Sequence, residues 1–175
     1  SLKYDAVVTN PPYLNRMNNN IKNYMSERFS DYSGDLFSAF IYRNLQYCKL
    51  DGFAGYMTPF VWMFIKTYEK LREYIVSEKE INSLIQMEYS AYEEATVPIC
   101  AFVLRNRSSI EPGVYFRLSE FKGGMEVQKE KVLTAINDPN VEFLFETTQQ
   151  KFLEIPGCPI AYWVSDAILN AFHDG

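Results

Sequence analysis

The chain has 175 residues, of which 47% are hydrophobic and 16% aromatic, and its net charge is −5. That is enough apolar matter for one large domain, or one domain and the beginning of a second, while the acidic balance argues against a self-sufficient DNA binder. No apolar run reaches the roughly 18 residues that span a bilayer, no signal-peptide pattern opens the chain, and Cys48, Cys100 and Cys158 show no metal-ligand spacing. Reduced core cysteines, no metal site, no membrane partner and a cytoplasmic location are therefore expected. The one histidine, His173, lies two residues from the end, so a frayed position is expected and no catalytic scheme that needs a histidine is expected. Residues 1–109 hold twelve basic and twelve acidic side chains and residues 110–175 hold five and ten, so the charge deficit lies in the last third.

In chain order, residues 4–9 (Tyr-Asp-Ala-Val-Val-Thr) read as a buried strand. It stops at Asn10-Pro11-Pro12-Tyr13, because consecutive prolines cannot donate ladder hydrogen bonds. Residues 14–33 form a polar, Asn-rich stretch containing Arg16, Lys22, Arg28, Tyr24, Phe29 and Tyr32. Its length favours a functional loop in which the cations meet phosphates and the aromatics stack on bases; a solvated loop with a short helix is the alternative. Ser33 or Asp35 can cap a helix whose apolar positions run from Leu36 to Cys48, with Gly52 as its stop. Residues 53–58 give a second strand closed by Pro59, and residues 62–77 an amphipathic helix with charged Lys66, Glu69, Lys70 and Glu73 outside. Strands at 81–87 and 97–104 are separated by too few residues for a crossover helix, so they pair antiparallel. A composition shift past Arg107 marks a boundary. Beyond it come a strand at 114–118, a helix at 126–136, a stretch without clear period at 143–155 and a short helix from Ser165.

The chemistry of the proline turn suits a planar amino group. The Asn10 side-chain oxygen accepts one N–H, the Pro11 carbonyl accepts the other, and Tyr13 offers its face to a flat ring. Two acceptors out of the ring plane favour a tetrahedral nitrogen and free its lone pair, with no strong base needed. A plain Pro-Pro turn ending a strand is the bland alternative.

The segment from Tyr4 to Tyr13 resembles the catalytic motif of the S-adenosylmethionine-dependent amino-group methyltransferases, above all the N6-adenine DNA methyltransferases. Ser33-Gly34-Asp35-Leu36-Phe37 and Pro156-Gly157-Cys158-Pro159-Ile160-Ala161-Tyr162-Trp163 resemble more narrowly the adenine methyltransferases of Pgl/BREX-type phage-resistance systems. The resemblance implies an α/β fold: the second half of a Rossmann-like methyltransferase sheet with its C-terminal antiparallel hairpin, at residues 1–109, followed by an α+β tail at 110–175. It implies that Asn10, Pro11, Pro12 and Tyr13 are catalytic, that Tyr13 and Tyr92 (with Tyr89 as the alternative) sandwich a flipped-out adenine, and that Asn10 and Phe37 touch the cofactor, although core packing is the other reading of Phe37. Double-stranded DNA is the expected partner of the intact enzyme, alongside other phage-defence subunits.

The Gly-rich loop and the acidic residue with which this family cradles S-adenosylmethionine do not occur among these residues. The expectation is a fragment that holds the methyl-acceptor half, is inactive alone, and self-associates through the open edge of its first strand. Two other functions fit the tetrapeptide: amino methylation of a protein glutamine or an RNA guanine, and a non-catalytic module that binds DNA or a partner.

Overall fold

The computed structural model describes residues 2–91, 97–165 and 167–169. Six strands form one mixed sheet: β1 (Tyr4–Thr9), β2 (Cys48–Pro59), β3 (Glu80–Gln86), β4 (Ile99–Arg105), β5 (Pro112–Arg117) and β6 (Leu144–Thr148), in the order β1-β2-β4-β3-β5-β6. β1 and β2 are parallel, as are β3 and β5, whereas β4 runs antiparallel to both β2 and β3. The antiparallel pairing inferred from the short connection is thus present, with β4 inserted between β2 and β3. The carboxyl ends of β1, β2, β3 and β5 share one rim of the sheet, and the proline turn lies on that rim.

Alternation along the strands decides which face is covered. Ala54, Tyr56, Leu84, Cys100, Phe102, Leu104 and Tyr115 face the main core. There they meet α2 (Leu36–Leu45) through Phe37, Ile41 and Leu45, α3 (Glu69–Glu78) through Leu71 and Ile75, and α5 (Gln150–Leu153) through Phe152. Each such side chain contributes about 1.5–3 kcal/mol relative to exposure. On the opposite face α4 (Gly124–Asn137) covers only the β5–β6 end, through Ala135 against Phe116 and Leu118. Residues 110–175 therefore add two strands to the same sheet and side chains to the same core, and β1, with Val8 81% exposed, remains bare on that opposite face.

Three elements differ from the periodicity. The second helix ends at Leu45, not at Gly52: Gln46 and Tyr47 close back on the carbonyls of Arg43 and Asn44 at 3.1 and 2.9 Å, and the chain enters β2 at Cys48. Residues 62–77 are not one helix. Short 3₁₀ turns at Phe60–Met63 and Lys66–Tyr68 precede α3, with Ile65 extended between them. The cause is Arg72, only 1% exposed, whose Nη1 donates to the carbonyls of Trp62 and Ile65 at 2.8 and 2.7 Å and draws them out of helical register. Its Nε and Nη2 donate to the Gly157 carbonyl at 3.0 and 2.7 Å, and Nε also reaches the Cys158 carbonyl at 3.1 Å. Finally, half of the polar stretch after Tyr13 is helical: α1 (Asn19–Arg28) is capped by Asn18, whose Oδ1 accepts from the Ile21 amide at 3.0 Å.

Candidate active site

β1 and β2 run parallel with Thr9 opposite Tyr56, so the next residue of β2, Met57, is carried alongside the proline turn. Asn10 and Pro12 are exposed, whereas Pro11 is buried and stiffens the turn beneath Asn10. The Tyr13 ring folds back over the turn. Its hydroxyl lies 3.0 Å from Asn10 Oδ1 and 3.0 Å from the Met57 carbonyl oxygen. The ring stays 36% exposed and forms a T-shaped pair with Phe37, with centroids 6.4 Å apart and planes at 88°. Beside Asn10, on the bare face of the sheet, lies an open cavity of about 380 Å³ lined by Val8, Thr9, Gly55, Met57 and Val103.

Asp35 fixes the exit of the turn. As the cap of α2 its Oδ1 accepts from the Phe37 amide at 3.3 Å, and the same oxygen accepts from the Leu14 amide at 2.8 Å. The Leu36 amide returns a bond to the Leu14 carbonyl at 3.3 Å, so the residue after Tyr13 is tied twice to the start of α2. Burial raises the Asp35 carboxyl above the usual aspartate value, against the opposing pull of the Leu14, Phe37 and Leu36 amides. Neighbouring Tyr68 is pushed up to about 12, by its own burial and then by the charge of Asp35. Gly34 permits this approach, since a Cβ there would lie 2.5 Å from Thr67 Cγ2.

The other residues expected at the site fall into four groups. Phe37 is 1% exposed within the main core, where it packs on Tyr68 at 5.2 Å and supports Tyr13 from behind. Arg16, Lys22 and Arg28 are exposed, and among the described residues none of them forms an ion pair. Tyr24 and Phe29 line an apolar groove of about 570 Å³ between α1 and α2, and Tyr32 stacks on Tyr42 at 4.3 Å. Tyr89 stands 63% exposed just past β3, whereas Tyr92 lies outside the described residues. Two partners of the site were not foreseen. The Met57 carbonyl is a backbone group with no sequence signal, and the hold of Asp35 on Leu14 goes beyond its foreseen role as a cap. Among the described residues there is no cluster of metal-ligating side chains, and no helix is long and apolar enough to cross a membrane.

The turn sets the Asn10 side-chain oxygen beside the partly exposed ring of Tyr13, and the chain as a whole was compared with known proteins. The chain is 32% identical over 176 residues to the adenine-specific methyltransferase BrxX of Escherichia coli O9:H4 (strain HS), covering 97% of this chain and 14% of that protein. It is 33% identical over 172 residues to the adenine-specific methyltransferase PglX of Lacticaseibacillus casei (strain Zhang), covering 94% of this chain and 14% of PglX. The chain thus spans about one seventh of the length of these relatives. Among solved structures, the methyltransferase subunit of a type I restriction-modification system from Streptococcus thermophilus superposes with a TM-score of 0.70 at 17% identity, over 93% of this chain and 38% of that one. The fold is accordingly that of the S-adenosylmethionine-dependent methyltransferases of restriction-modification systems. With residues 1–92, more than half of its length, matched by the Eco57I restriction-modification methylase family, the chain belongs to that family.

Proposed function

We propose that this chain is the methyl-acceptor part of an adenine-specific DNA methyltransferase that transfers a methyl group to the N6 amine of a base flipped out of the duplex. The observation that carries the reading is the proline turn at the end of β1, which presents the Asn10 oxygen beside the exposed ring of Tyr13. In this reading Asn10 Oδ1 and the Pro11 carbonyl accept the two amine hydrogens, and Tyr13 holds the base plane, with Tyr92 or Tyr89 on its far side. Pyramidalising the nitrogen makes its lone pair available without a base. Phe37 serves by holding Tyr13. Arg16, Lys22 and Arg28 supply phosphate contacts beside the rim.

S-adenosylmethionine, when bound, supplies the electrophilic methyl group. Of the residues present, Asn10 fits its neighbourhood, while the buried Phe37 offers it no free face. The Gly-rich loop and acidic residue that would hold its methionine and ribose are not among these 175 residues, so the reading assigns the cofactor's seat to other parts of the protein. We also assign the bare edge of β1 to a further strand, supplied in the isolated chain by a second copy, and the outer partners to other phage-defence subunits.

The test is transfer of a labelled methyl group to DNA by the full-length protein. Activity on plasmid DNA, with label recovered as N6-methyladenine, is expected. Asn10→Ala should abolish it while changing stability by less than about 1 kcal/mol, as for other exposed positions. Label recovered on protein glutamine or on RNA guanine would refute the reading.

A further inference from the structure

The Tyr13 hydroxyl carries one proton and lies 3.0 Å from each of two acceptors, Asn10 Oδ1 and the Met57 carbonyl. One of these is the oxygen that the proposed function assigns to the target amine, and the other is a backbone group of β2 at a residue paired with Ala101 of β4, one position past the last residue paired with β1. The ring packs nearly perpendicular to the buried Phe37, and its oxygen can keep both distances while only the O–H bond turns about the C–O axis. We infer that this hydroxyl keeps the amine's acceptor occupied in the empty site and yields it by exchange: it donates to Asn10 until an amine does so, and then passes its proton's hydrogen bond to the Met57 carbonyl. The inference rests on the proposed function.

The exchange has a chemical consequence. A ligand that brings an N–H displaces the phenol from Asn10 at little cost, because the phenol keeps a partner. A ring that brings only acceptors or C–H at that position cannot displace it and leaves the Asn10 oxygen engaged. The hydroxyl therefore does not strengthen the grip on an amine. It competes with it weakly, and it keeps the Asn10 oxygen satisfied beside rings that lack an N–H, so it narrows the site's preference for amines. Removing the hydroxyl while keeping the ring should tighten amine binding, whereas a Tyr13 that only stacks predicts no change.

The experiment measures binding of adenosine and of purine riboside, the same ring without its amino group, to the full-length protein by calorimetry. Wild type, Asn10→Ala and Tyr13→Phe are compared, with Tyr13→Trp as a second ring without the phenol; Tyr13 is partly exposed and melting temperatures are recorded for each variant. Wild type should prefer adenosine, and Asn10→Ala should erase the preference. Tyr13→Phe and Tyr13→Trp should widen it, by about three- to tenfold for Tyr13→Phe, through adenosine alone. If wild type shows the preference and Asn10→Ala removes it, but Tyr13→Phe leaves it unchanged or narrows it, the exchange is refuted and the proposed function stands. If wild type shows no preference and Asn10→Ala changes nothing, the assignment of Asn10 fails, and the exchange with it.

Discussion

Asp35 shows how one side chain can hold both a helix start and a functional turn. Its oxygen accepts from Leu14 and Phe37, yet burial makes its charged form costly. The two effects separate by substitution. Asp35→Asn keeps an acceptor oxygen and removes the charge, so its stability at neutral pH should stay within about 1 kcal/mol of wild type. Asp35→Ala leaves the Leu14 and Phe37 amides without that oxygen and should cost about 1–2 kcal/mol, with a further loss of methylation as the residue after Tyr13 is released. Thermal melts of both variants, set beside the transfer assay, check the pair. Equal destabilisation by both would show that the charge, and not the acceptor, holds the turn.

At the scale of elements, what the sequence discloses depends on where the forces originate. β1, β3 and β4 were legible as strands because short apolar runs and turn chemistry are local, and the hairpin followed from the shortness of its connection; the burial expected of β1 is corrected, since its residues are exposed or half-buried, Val8 at 81%, where one face of the sheet edge stays uncovered. The region from Phe60 to Tyr68 was not, because its helical spacing is overruled by Arg72, a residue of the next helix that claims the carbonyls of Trp62 and Ile65. β6 was missed because Leu144, Phe145, Thr147 and Thr148 are all half-buried, which leaves no period to read. At the site, the tetrapeptide was visible as a motif, while the Met57 carbonyl could be found only once β1 and β2 were in register. Close approach between strands gives a prediction at this scale. A Cβ on Gly113 would lie 2.3 Å from the Ile81 carbonyl, a backbone atom that cannot swing away. Gly113→Ala should therefore lower stability by about 1–3 kcal/mol by forcing β5 off β3, read as a lower midpoint in urea.

For the whole molecule, electrostatics and connectivity set the limits. Glu80 in β3 is nearly buried. Burial pushes its carboxyl up, but the Arg107 hydrogen bond at 2.7 Å and its charge, with help from Ser109 and Asn82, outweigh that and hold the group below the usual glutamate value. A carboxyl lowered in the folded state binds its proton less readily than in the unfolded chain, so its contribution is complete above the ordinary value of 4.5 and is lost as pH falls through the folded one. Melting temperature should decline over that acid range, and Glu80→Gln should flatten this part of the profile while lowering stability at neutral pH. Arg72 ties the middle of the chain to its C-terminal segment. A chain cut after Ser109 would lose the Gly157 and Cys158 carbonyls and the buried rings of Tyr115, Phe152 and Tyr162. The loss of partners around a buried cation alone costs about 3–5 kcal/mol, so residues 1–109 should show no cooperative melt by calorimetry. The bare edge of β1 has a different consequence. On the proposed function its outer backbone groups let the chain be completed in trans: a separately produced segment of the full-length protein that ends in a matching strand docks there. An enzyme rebuilt from two such halves would lose activity on dilution and regain it when either half is added in excess, as a split reporter does.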